Sequence, residues 1–94
     1  MNIEEKKKIA EAYFDVMNAE DILDNIEDLE PKLRKIDWYR KARQYLDKSR
    51  QILGRTAEVE PEESVWEETP WFWTERECKE MGGKWKENTC LFIK

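Results

Sequence analysis

The sequence predicts a mainly α-helical fold: an antiparallel helical hairpin or three-helix bundle with a small C-terminal helix plus β-hairpin module. Three observations carry that expectation. Apolar residues recur at helical spacing through most of residues 3–53. Only three Gly and three Pro occur in 94 residues, so little of the chain is punctuated as loop. A glycine pair followed by alternating residues appears only near the C-terminus.

The first helix spans residues 3–17. Asn2 can cap it, and Glu4 and Glu5 sit in the first turn, where the helix dipole favours anions. Ile9, Ala12, Tyr13 and Val16 form one apolar stripe. Ile3, Ala10, Phe14 and Met17 form a second, about 100° away. The arc is wider than a two-helix seam needs, so this helix should touch two neighbours, or one neighbour and a partner chain. At Asn18-Ala19-Glu20-Asp21 the sequence resembles a capping box with Asp in the last place. A break or kink is expected there, with Ile22, Leu23, Ile26 and Leu29 on a fresh face. The alternative is one helix to Leu29.

Pro31 ends that segment and suits the first turn of the next. Residues 32–53 then read as the clearest helix, with Leu33, Ile36, Tyr39, Ala42, Leu46 and Leu53 on one face and Gly54 as its stop. The short connection makes the two helices antiparallel. Their seam is expected to bring Ile26 and Leu29 near Leu33 and Ile36.

Residues 55–70 are an acidic linker holding Pro61, so the domains are expected as 1–54, linker 55–70, and a module at 71–94. In the module, Thr74 and Glu77 form a capping box for a helix over 75–81, which Gly82-Gly83 stops. Lys84-Trp85-Lys86 reads as a strand with Trp85 inward, Glu87-Asn88-Thr89 as a turn, and Cys90-Leu91-Phe92-Ile93 as the returning strand. A Cys78–Cys90 disulfide would clip helix to hairpin and is expected. Two buried free thiols, or redox or metal chemistry, are the alternatives, although the eleven intervening residues do not match a redox dithiol.

Cys78…Gly82-Gly83-Lys84-Trp85…Cys90, led by Thr74 and Glu77, resembles a Cys–Gly-Gly–Trp–Cys mini-motif of small uncharacterised proteins of microbes and their viruses. The resemblance covers residues 74–90. It implies a compact disulfide-type hairpin module and carries no activity.

The net charge of −5 conceals an alternation. Residues 1–30 carry −7, residues 31–55 carry +7, residues 56–77 carry −7 and residues 78–94 carry +2. The basic block is expected to lie against its acidic neighbours. Several function classes drop away. No apolar run approaches a membrane span, and no signal peptide opens the chain, so a cytoplasmic protein is expected. His is absent, which removes the commonest general base and metal ligand. No phosphate loop, activated nucleophile or metal-ligand spacing is present, so neither enzyme activity, a metal site nor a cofactor is expected.

Two surfaces are candidates. Trp66, Trp71, Phe72 and Trp73 put four aromatics in eight residues beside an acidic linker. With Phe14 and Met17 they suit docking on a protein partner or a second copy of the chain. At least one of the four rings is expected to stay exposed in the lone chain; the competing assignment packs them as core against Trp85 and Phe92. Arg34, Trp38, Lys41, Tyr45 and Lys48 form a basic stripe with interleaved aromatics, the pattern that neutralises phosphates and stacks on bases. Its competing assignment has Trp38 and Tyr45 covered by the C-terminal module. The expected function is a non-enzymatic, protein-binding accessory subunit or regulatory factor. A viral or mobile-element protein, as virion component or inhibitor of a host machine, is a setting that suits it. The alternative is a small nucleic-acid-associated protein using the basic helix 32–53.

Overall fold

The structure, a computed structural model, describes residues 2–58 and 71–92. Its elements in chain order are α1 (Ile3–Leu29), a 3-10 turn (Pro31–Lys35), α2 (Asp37–Thr56), α3 (Glu75–Glu80), β1 (Lys84–Lys86) and β2 (Thr89–Leu91). The mainly helical class with a small antiparallel hairpin is as the sequence predicts. Among the described residues no helix is long and apolar enough to cross a membrane.

Helix α1 starts as expected, with the Glu5 N–H donating to Asn2 Oδ1 at 2.8 Å. It does not break at Asn18. The reason is a single stripe that keeps phase through that point: Ile9, Ala12, Val16, Ala19, Leu23 and Ile26 step by three and four. With Ala19 counted as apolar, no new face is needed. The chain leaves α1 at Glu30, and Pro31 opens the 3-10 turn rather than the second helix. Ile36 has extended backbone, so α2 begins only at Asp37.

Helix α2 also passes through its expected stop. Gly54 is helical and buried, and α2 ends at Thr56. A Cβ at Gly54 would lie 2.9 Å from Cε2 of Tyr13. The glycine is there for the approach of α1, not for a left-handed cap. Most of the linker, with Trp66, lies outside the described residues, as does Ile93.

The C-terminal module forms as its local chemistry dictates. Thr74 Oγ1 accepts from the Glu77 N–H at 3.2 Å and caps α3. Gly82 takes φ +83°, where a side chain would be strained. The strands pair Lys84 with Leu91, Trp85 with Cys90 and Lys86 with Thr89. Glu87 and Asn88 both have positive φ, so the turn has two residues and the type I′ twist that suits a hairpin. The Cys78 and Cys90 sulfurs are at bonding distance, 2.07 Å. They are fully buried among Phe72, Trp73 and Phe92, with Trp71, Met81 and Trp85 packed around them.

Candidate functional site

The face of α2 that meets the rest of the molecule is polar. Arg43, Gln44, Asp47 and Gln51 are all buried, beside Tyr39 and Gly54. Sequence reasoning places such residues outside. They are buried here because each finds partners. Arg43 donates to the Glu20 carbonyl at 3.0 Å and to Asp24 Oδ1 at 2.5 Å. Its Nε lies 3.3 Å from the buried Glu27 carboxylate, an ion-pair contact without hydrogen-bond alignment. The Tyr39 hydroxyl donates to Glu27 at 2.5 Å. Burial, then that carboxylate, push the Tyr39 pKa well above the ordinary phenol value.

A second group centres on Asp47. Its carboxylate accepts from Arg50, from Gln51 Nε2 at 3.0 Å and from Trp73 Nε1 at 2.7 Å. Arg50 continues to Glu20 at 2.7 Å. Burial raises the Glu20 pKa, with Arg50 opposing. The Arg50 pKa is raised as well, because attraction to Glu20 and Asp47 outweighs the burial that disfavours its charge.

The same spine holds the C-terminal module. Gln51 donates to the Cys90 carbonyl at 2.9 Å and accepts from the Phe92 N–H at 3.0 Å, so its carboxamide pairs with backbone at β2 as a strand neighbour would. Gln44 donates to the Phe72 carbonyl at 2.7 Å and to Glu77 at 2.5 Å. Arg40 donates to Glu77 at 2.6 Å, and Lys48 to the Met81 carbonyl at 3.0 Å. The basic block therefore lies between acids of α1 and Glu77, as the charge pattern predicts.

This docking corrects the first set of candidate residues. Phe72 and Trp73 are core, because the small hairpin cannot enclose the disulfide without them. Trp71 is half-buried, stacked on Tyr39 with ring centroids 6.2 Å apart and with the Arg34 guanidinium over it at 5.4 Å. Phe14 is 53% exposed and Met17 half-buried, both on α1.

The second set behaves differently from its competing assignment. Trp38 is 68% exposed and Tyr45 62%, with Arg34 and Lys41 also exposed. Lys48 is drawn under the module, over the Phe92 ring at 5.4 Å, and Arg34 meets its first residue, Trp71. The module binds α2 through residues 40, 44, 47, 48 and 51, and Trp38 and Tyr45 lie well around the helix from that row.

Sequence reasoning names apolar rows on both long helices and allows a partner chain on the first, but does not join the rows into one surface. Ala42, Leu46, Ser49 and Leu53 lie about 180° around α2 from the module-binding row. Beside them run Ala12, Val16, Ala19, Leu23 and Ile26 of α1. All are half-buried except Ser49 and Ile26, which are exposed. The hairpin thus has a polar face closed by the module and an apolar face open to solvent. The signal was legible: the α1 row steps by three and four over fifteen residues and the α2 row over twelve, the spacing of bundle seams. A surface depression beside α3 is lined by Glu75, Arg76, Lys79 and Glu80, which pair along the helix.

No protein-family model, curated protein or solved structure matches the chain.

Proposed function

We propose that the protein is a non-enzymatic, protein-binding accessory subunit whose docking surface is the open face of the α1–α2 hairpin. One observation carries this. Thirteen Leu, Ile and Val residues are described, and none is buried. The enclosed core is aromatic and disulfide-based, while Tyr13 and Tyr39 are the buried hydrophobics of the hairpin. A chain that closes one helical face with ion pairs and leaves aliphatic rows on the other is built to have that second face covered. The expectation for Phe14 and the aromatic run moves accordingly, to Ala12, Val16, Ala19, Leu23, Ala42, Leu46 and Leu53.

A photo-crosslinking residue at Ala19 tests this reading in the source cells. Adducts at Ala19, absent when the crosslinker replaces exposed Arg76, support it. Absence of any protein adduct at Ala19 and at Ser49 overturns it.

The exposure of Trp38 and Tyr45 favours a second reading. With exposed Lys41 they form a basic and aromatic stripe, suited to single-stranded nucleic acid, which Arg34 extends while it also pairs with Glu27 and lies over Trp71. Binding that weakens with salt and is lost in Lys41→Glu would support it; salt-insensitive binding or none would remove it.

A further inference from the structure

Helix α2 carries a further pattern on its outer side. Trp38, Ala42, Tyr45, Ser49 and Ile52 step by four, three, four and three, the spacing of a coiled-coil seam. All five lie within about 80° of one another around the helix. The large members, Trp38, Tyr45 and Ile52, are seven apart. Trp38 and Tyr45 are largely exposed, and Ile52 is 39% exposed. The residues between them, Ala42 and Ser49, are small, so the stripe has large side chains about 10.5 Å apart with a hollow in each gap. A facing helix fills such hollows with its own large side chains. Trp and Tyr are also the residue types that most often anchor protein interfaces.

The flanks describe what that helix carries. The same heptad puts Lys41, Lys48 and Arg55 seven apart along one side of the stripe, and Leu46 and Leu53 along the other. Lys48 is committed to the module, donating to the Met81 carbonyl at 3.0 Å. Lys41 and Arg55 are exposed and make no ion pair among the described residues. The seam therefore has one basic edge and one apolar edge. Flanking charges across such a seam pair with the facing helix, and these two cations are separated by about 21 Å of helix. Two other occupants fit less well. None of the stripe or its flanks is acidic, so two copies set stripe to stripe leave the cations unmatched. Single-stranded nucleic acid stacks successive bases roughly 3.4 Å apart, about a third of the spacing of these anchors, and Ile52 has no ring to offer.

We propose that the outer stripe of α2 binds an acidic amphipathic helix of another protein, seated on Trp38, Tyr45 and Ile52, with carboxylates along one edge set against Lys41 and Arg55. This rests on the docking reading above, whose open face adjoins the stripe at Ala42, Leu46 and Leu53, and it names the partner's chemistry.

A labelled synthetic peptide of four heptads, with Leu at the seam positions and Glu at the flanking ones, is the probe. Fluorescence anisotropy with the full chain reads its binding. The controls are a peptide with Lys in place of Glu and a scrambled peptide of the same composition. The Glu peptide should bind roughly 10-fold or more tightly than either control. Trp38→Ala and Tyr45→Ala, both at exposed positions, should each weaken it by roughly 10-fold or more, with circular dichroism showing that the helices are kept. Lys41→Glu combined with Arg55→Glu should reverse the preference, so that the Lys peptide binds better. Raised salt should weaken the wild-type complex. No binding of the Glu peptide, equal binding of the Glu and Lys peptides, or binding indifferent to the ring and charge variants overturns the proposal. So does a stripe that instead carries self-association lost in Tyr45→Ala, or that takes a single-stranded oligonucleotide and no peptide. Peptide binding seen only once Glu60, Glu62, Glu63, Glu67 and Glu68 are all glutamine would assign the stripe to this chain's own acidic segment, and overturns it too. If the peptide fails and the Ala19 crosslinker still captures another protein, the acidic-helix partner fails while the docking face stands; if neither is seen, both fail.

Discussion

The indole of Trp73 donates to the buried carboxylate of Asp47 at 2.7 Å, joining the core of the C-terminal module to the polar spine of α2. Asp47 also accepts from Arg50 and Gln51, so three donors depend on one side chain. Removing an acceptor from such a site leaves its donors dry. Asp47→Ala should cost about 3–5 kcal/mol, the range for breaking a buried charged pair. Trp73→Phe keeps the ring and removes only the N–H, and should cost about 1–3 kcal/mol. The two should be coupled in a double-mutant cycle by urea unfolding. Additive losses would mean that the bond does not hold the module to α2.

Glu77 gives the acid side of the stability curve a definite sign. Burial works to raise its pKa, but hydrogen bonds from Gln44, Arg40 and Thr74 outweigh that, and the value falls below the ordinary 4.5. A depressed carboxylate stabilises the fold above its unfolded pKa and loses that contribution as pH falls through the folded value. Glu77→Gln should therefore be less stable than wild type by about 1 kcal/mol above pH 4.5, with the gap closing at lower pH. Glu20 is the opposite case. Its pKa is raised by burial, so it gains stability for the fold as pH falls toward the ordinary value. The deficit of Glu20→Gln should widen with acid. Denaturant midpoints measured across the acid range separate the two, and parallel behaviour would refute both assignments.

Local chemistry was readable in this chain, and tertiary exceptions were not. Asn2, Thr74 and Gly82 act through their own backbone neighbours, so the start of α1 and the shape of the module followed from their sequence. Asn18 offered the same local signal without effect, because the apolar row through Ala19 continues the helix across it. Gly54 resembled a stop, but its role depends on Tyr13, forty-one residues away. Gln44, Asp47 and Gln51 looked like solvated positions. Their burial is set by Phe72, Trp73, Cys90 and Phe92, which arrive from the far end of the chain. The aromatic run was readable as rings needing burial. That Phe72 and Trp73 meet this need within the chain is decided by how thin the hairpin is.

The glycine pair of the module should fail in two distinguishable ways. A Cβ at Gly83 would lie 2.7 and 2.8 Å from the sulfurs of Cys90 and Cys78, and 2.9 Å from the Phe92 ring. Gly83→Ala overfills that core and should cost about 1–3 kcal/mol. Gly82 has open space around it, and its φ of +83° is the whole constraint. Gly82→Ala should cost about 1–2 kcal/mol. Replacing both cysteines by serine removes a clip that closes a short loop, worth about 3 kcal/mol in the chain-entropy model. In that serine background, with smaller oxygen atoms at 78 and 90, the Gly83→Ala penalty should shrink while that of Gly82→Ala persists. Equal penalties in both backgrounds would show that the disulfide does not set the space at Gly83.

Gly54 and Tyr13 make the sharpest test of how the two long helices meet. An exposed glycine inside a helix is destabilising relative to alanine by about 1 kcal/mol, so Gly54→Ala would ordinarily strengthen α2. Here the added methyl would sit 2.9 Å from Cε2 and 3.3 Å from Cδ2 of a buried Tyr13 ring. The ring cannot swing outward without exposing the hairpin's apolar contact, so the helices must part instead. Gly54→Ala should therefore destabilise the protein, by about 1–3 kcal/mol for an overpacked contact. Shrinking the ring should reverse the sign. In a Tyr13→Ala background the methyl enters the vacated space, and Gly54→Ala should become stabilising by up to about 1 kcal/mol. The four proteins form a cycle readable from thermal or urea unfolding. If Gly54→Ala stabilises the wild-type chain, the close approach of α1 to α2 at this level is wrong, and with it the packing that leaves the opposite face of the hairpin open.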